Sequence, residues 1–114
     1  MRWWDLREVE APAGTRDPVV LHSGEDARAV MIKLDPGQSL GEHQVKERAW
    51  VAVVEGRVRL EAGAETVEGG PGTLATFDAN ERHSVSSEDG ARILLLLAPW
   101  PGAGHYRGHE AAGA

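Results

Sequence analysis

The chain contains no cysteine, so neither a disulfide framework nor a thiolate metal cluster is available to it. Basic residues are few and dispersed. Lys33 and Lys46 are the only lysines, the arginines stand singly, and the net charge is −6. Phosphate-backbone partners require clustered Lys and Arg, so no nucleic-acid partner is expected. Long hydrophobic runs are also missing: the longest, "ILLLLAPW" (Ile93 to Trp100), is strand-sized and far short of the ~18 residues of a membrane span. The opening "MRWWDLREVE" has no apolar signal core. These features predict a cytoplasmic protein with no membrane partner. Helical periodicity is absent too, and "LREVEA" offers one turn of helix at most.

What the chain does have is punctuation. Fourteen glycines and six prolines break 114 residues every eight to twelve positions, the spacing of an all-β sandwich or barrel in a single domain. "ARAVMIKL" (Ala27 to Leu34) reads as a strand ended by the turn signal "DPG". "RVRLEA" alternates, with Val58 and Leu60 on one face and Arg57, Arg59 and Glu61 on the other, which marks a half-buried antiparallel strand. "VVEGRV" then suggests a hairpin pivoting near Gly56. "GGPGTLATF" supplies a turn and a strand through Phe77, and in the next strand His83 and Val85 share a face. Ile93 to Leu97 does not alternate, so both faces of that strand are expected to be covered. A closed or double-sheet barrel satisfies the strand edges and leaves an interior that either fills with side chains or holds one ligand.

Two spacings carry a resemblance. Five residues separate Gly37 from His43, and Gly56 closes the same segment; Gly72 precedes His83 with Asp78 and Asn80 between them. These positions resemble the two motifs of the cupin superfamily over residues 28–100, and "GEHQVKERAWVAVVEG" and "LLLLAPWPGAGHY" are similar to small single-domain bacterial cupins of undefined role. The resemblance implies a double-stranded β-helix, a jelly-roll barrel of the RmlC-like type. Its expected divisions are an N-terminal segment (1–27) packing on the barrel or a partner subunit, the barrel (28–101) and a Gly/Ala-rich tail (102–114).

The family's metal set of three histidines and a glutamate carries over only in part. His43 and His83 match, whereas Val45 and Ala49 stand at the remaining ligand positions and Ser87 replaces the motif asparagine. Zinc sites usually keep three protein ligands, and oxygen-activating iron commonly takes two histidines and a carboxylate. Glu47 either turns inward to complete such a triad with His43 and His83, or stays solvated in the charged "KER". The resemblance thus leaves a divalent metal (Fe, Mn, Ni or Zn) open as a cofactor.

Without metal, two inward imidazoles still offer a donor, an acceptor and a titration near ~6.5, with Gln38, Glu42 and Trp50 as further groups at the barrel mouth. The competing reading makes either histidine only a hydrogen-bonded core residue. The expected function is small-molecule binding in the interior with an incomplete metal-ligand set. The alternative is a metal-dependent oxygenase or isomerase on His43, His83 and Glu47, and a scaffold meeting another protein is a third reading. The two-sided leucine strand predicts a homodimer. His105 and His109 are spaced as in a helical metal motif, but Gly104 and Gly108 beside them favour a polar tail.

Overall fold

The structure, a computed structural model, describes residues 1–11 and 18–102, apart from the side chains of Glu42 and His43. The described residues form nine strands and no helix: β1 (Val19–Ser23), β2 (Arg28–Leu34), β3 (Ser39–His43), β4 (Arg48–Gly56), β5 (Val58–Ala62), β6 (Glu65–Gly69), β7 (Leu74–Phe77), β8 (His83–Ser86) and β9 (Ala91–Ala98). They build a five-stranded sheet ordered β1-β2-β9-β4-β7 and a four-stranded sheet ordered β3-β8-β5-β6, antiparallel throughout. The sheet begins at β1, ahead of the expected barrel start at residue 28.

Alternation decides which side chains meet between the sheets. Val30, Ile32 and Leu34 on β2, Ala49, Val51 and Val53 on β4, and Ile93 and Leu97 on β9 join Val58, Leu60 and Val85 from the other sheet in one core. Ile93 is fully buried in the central strand β9. Truncating it to alanine removes several methyl groups from packing that cannot collapse onto the gap. The expected cost is about 3 kcal/mol by urea unfolding, and a loss below about 1 kcal/mol would contradict this placement of the core.

Gly56 has a different role from the hairpin pivot expected of it. β4 pairs with β7 and β9, while β5 pairs with β6 and β8, so the chain changes sheets at this glycine. Alternation along each strand is the same whether neighbours pair or cross over, so the pattern had no means of separating these topologies.

The outer face of the five-stranded sheet is apolar where the four-stranded sheet's outer face is polar. Met31 points away from the core residues Val30 and Ile32 yet is fully buried. Across the same face, Arg92 donates to the backbone carbonyls of Leu6 and Val9, drawing the N-terminal segment over the sheet. Removing that clamp with Arg92→Met is expected to speed limited proteolysis before Val19 several-fold while leaving the unfolding midpoint nearly unchanged. Unchanged cleavage would count against the clamp. Trp3 stands 76% exposed, so it is not packed within a single copy of the chain.

Candidate functional site

His83 opens β8 on the inner face of the four-stranded sheet and is almost fully buried. Its Nδ1 lies 3.0 Å from the carbonyl oxygen of Glu81. A carbonyl accepts and does not donate, so in the neutral ring Nδ1 carries the proton and Nε2 keeps the lone pair. The ring stacks on Phe77, with centroids 4.1 Å apart and planes inclined by 8°. Phe77 ends β7 in the other sheet, opposite Ala49, so this stack links the two sheets through the interior.

The loop before His83 is tied down on several sides. Glu81 accepts from the Asp78 amide through its side chain (2.9 Å) and donates its own amide to the Asp78 carbonyl (3.0 Å). Asn80, at φ 68°, donates its backbone amide to the Val45 carbonyl at 2.7 Å. Arg48 reaches from β4 to the Asp78 carboxylate and to the Thr76 hydroxyl. The result is an imidazole with fixed orientation and tautomer, which loop residues alone would not hold.

The backbone register pairs His43 with His83 across β3 and β8. The side chain of His43, like that of Glu42, lies outside the described atoms, as do His105 and His109. Glu47 is buried, 1% exposed, and its Oε2 accepts from the Gly102 amide at 2.7 Å. Glu47 is therefore buried, not solvated, and its carboxylate fastens the segment after β9 onto the loop between β3 and β4. Trp100, two residues earlier, packs against the core under the Arg28 guanidinium.

Two other expected pocket residues lie elsewhere. The Gln38 side chain accepts from the Asp35 amide (2.8 Å), and its carbonyl accepts from Ser87, so it closes the turn between β2 and β3. That is four residues along from His83, about 13 Å at the rise of a strand. Trp50 alternates with the buried Ala49 and Val51, so it faces outward, where its cross-strand neighbours are Leu96 and Thr76.

A cavity of about 240 Å³ opens where β6 and β7, the edges of the two sheets, approach each other. Leu60, Ala62, Val67, Ala75 and Phe77 form its apolar wall, and Glu65 and Glu81 border it. Leu60 pairs with Val67 and Ala62 with Glu65, so all four share the inner face of their sheet. Phe77 also stacks on His83, so one aromatic side chain touches both the imidazole and this cavity. Reasoning from sequence passed over Phe77, Glu65 and Glu81. The signal available was "AGAE", whose Gly63, at φ 60°, permits a two-residue turn setting Ala62 opposite Glu65.

A larger recess of about 410 Å³ lies at the far end of the strands, among Lys33, Asp35, Glu55, Asp89 and Arg92. Its charges are mixed, Arg92 lies 3.8 Å from Glu55, and no imidazole among the described residues borders it. Outside both, hydrogen bonds hold two surface carboxyls below their usual range, Asp26 from the His22 ring and Asp5 from Arg7.

The donor set does not fit the four-ligand metal group. Ala49 is fully buried in the core and Val45 packs against it, so two of the four positions are filled by hydrocarbon. Glu47 is committed to Gly102 through one oxygen. Among the described residues, no three His, Cys, Asp or Glu side chains gather closely enough to hold an ion.

Comparison with known proteins agrees with the architecture. A family model described as a cupin domain matches residues 30–98. No curated protein matches the sequence. Among solved structures, a protein from Thermus thermophilus is 26% identical, with a TM-score of 0.76 over 87% of this chain and 98% of that one. An uncharacterised conserved protein from Klebsiella pneumoniae with a double-stranded β-helix domain is 18% identical, with a TM-score of 0.78 over 90% and 93%. An RmlC-like cupin from Desulfovibrio desulfuricans is 19% identical, with a TM-score of 0.77 over 87% and 97%.

Proposed function

The chain belongs to the cupin domain family, and within that fold we propose that it binds a small organic molecule between its two sheets, beside His83, with an incomplete metal-ligand set. One observation carries this reading: a buried imidazole of fixed tautomer stacks on the aromatic wall of a cavity that opens between the edges of the two sheets. His43, paired with His83 through the backbone, is assigned the neighbouring polar position. The Nδ1 proton of His83 goes to a backbone carbonyl, whereas a strong base has its ring oriented by a carboxylate. Binding rather than turnover is the reading adopted.

Two measurements test it together. A ligand present at about a hundred times its Kd stabilises the folded state by about 2.7 kcal/mol, raising the melting midpoint of a domain this size by about 10 °C. His83→Ala should abolish that shift. Metal analysis of protein purified without chelator is expected to return far less than one equivalent. One equivalent of iron, manganese, nickel or zinc that disappears in both His43→Ala and His83→Ala would establish the metal-dependent oxygenase or isomerase instead.

Assembly follows from the other side of the sheet. Trp50, Leu94 and Leu96 are half-buried on the outer face of the five-stranded sheet, and Leu74 at its edge is 66% exposed. Covering such a face with a second copy removes it from water, so a homodimer is assigned. Analytical ultracentrifugation at micromolar concentration should give a dimer that Leu96→Glu dissociates; a wild-type monomer would remove the assignment.

A further inference from the structure

The cavity between the sheet edges is open to solvent and bordered by charge of one sign. Its wall is hydrocarbon, Thr73 and Thr76 add hydroxyls, and both ionisable groups at its border are carboxylates, Glu65 and Glu81. Among the described residues, no lysine, arginine or histidine lines it. Glu65 owes its inward placement to backbone register, because its partner Ala62 follows the inward Leu60 by two residues on β5. Glu81 is fixed by the turn it makes with Asp78 and by the bond between its carbonyl and His83. Glu65 and Glu81 are both exposed, so their carboxylates stand at the mouth of the cavity, above its apolar wall.

A guest carrying a carboxylate or phosphate would bring its charge against these two groups, and a wholly apolar guest would leave them unused. A cation attached to an apolar body matches both halves of the lining. At ~30 Å³ for each water-sized unit of volume, the space takes roughly eight non-hydrogen atoms. Resting on the interior-binding reading and sharpening it, we propose that the cavity receives a small alkyl- or arylalkylamine. Its hydrocarbon body lies along Leu60, Val67 and Ala75, and its ammonium faces Glu65 and Glu81. The competing explanation of Glu65 is edge protection, since an inward charge on an edge strand discourages pairing with another chain. That role implies no preference among guests.

The test is an NMR titration of the full chain at pH 7 and low salt with hexylamine, 1-hexanol and hexanoate, read at the methyl groups of Leu60 and Val67. Hexylamine is expected to bind about fivefold more tightly than hexanol, and hexanoate more weakly than either. Glu65→Gln combined with Glu81→Gln should equalise hexylamine and hexanol while leaving the hexanol affinity unchanged. Both substitutions keep side-chain shape, and glutamine still offers the Asp78 amide an acceptor. Equal binding of amine and alcohol to the wild-type protein, or a preference that survives the double substitution, overturns the amine assignment and leaves the interior-binding reading standing. No shift at these methyls from any of the three compounds overturns the amine assignment and counts against a ligand cavity here.

Discussion

Gly56→Ala is expected to destabilise the fold by about 3 kcal/mol or more, through two costs that add. Gly56 has φ of 79°, a left-handed conformation that costs a residue with a Cβ roughly 1–2 kcal/mol. The larger part is steric. A Cβ built at this position would lie 2.2 Å from the Gly90 carbonyl oxygen and 2.8 Å from the Ala91 Cα. Those atoms are backbone and cannot swing aside, so relief requires opening the end of the β4–β9 ladder, where Gly56 pairs with Ala91. Gly63 separates the two costs, because its φ is 60° but nothing lies within 4 Å of an added Cβ. Gly63→Ala should therefore lose only about 1 kcal/mol. Urea unfolding of the pair checks the argument, and equal losses would show that the close approach at the sheet crossing contributes nothing.

Glu47→Ala is expected to cost about 3 kcal/mol, and the loss should be the same with and without a chelator. The carboxylate is buried and holds the Gly102 amide, itself in a buried residue. Removing it forfeits a charge-assisted hydrogen bond, strands a buried N–H and leaves a void. Gly102 lies so close that a Cβ there would fall 2.6 Å from the Lys46 carbonyl oxygen, so the segment has no room to re-pack by adding side-chain bulk. Glu47→Gln retains an acceptor and should lose about 1 kcal/mol. A Glu47→Ala protein that unfolds like the wild type, or that loses stability only when metal is withdrawn, would refute the structural role assigned to this residue.

The fold was more legible than the site, for a physical reason. Burial alternation survives in the sequence wherever one face of a strand meets the core, as in Val58 and Leu60 or in His83 and Val85. The turn glycines Gly37 and Gly72, both at positive φ, also announce themselves. Pairing partners leave no such trace, which is why Gly56 suggested a hairpin and proved to be a crossing between sheets. Glu47 shows the same limit. Its place in "KER" suggested water, and burial came from Gly102, 55 residues away. Trp50 and Gln38 were candidates on chemistry alone, whereas strand parity turns one outward and a local turn occupies the other. The Phe77–His83 stack joins two sheets, and nothing in either strand by itself signals it.

The whole account depends on a guest entering between the sheets at the imidazole of residue 83. A screen of small molecules against protein carrying labelled methyl groups and labelled histidine rings tests this most directly. The account predicts that a bound compound moves the Leu60 and Val67 methyls and the His83 ring together, leaving Leu94 and Leu96 still. Shifts confined to Leu94 and Leu96 on the outer face, with the interior signals unmoved by every compound, would contradict it.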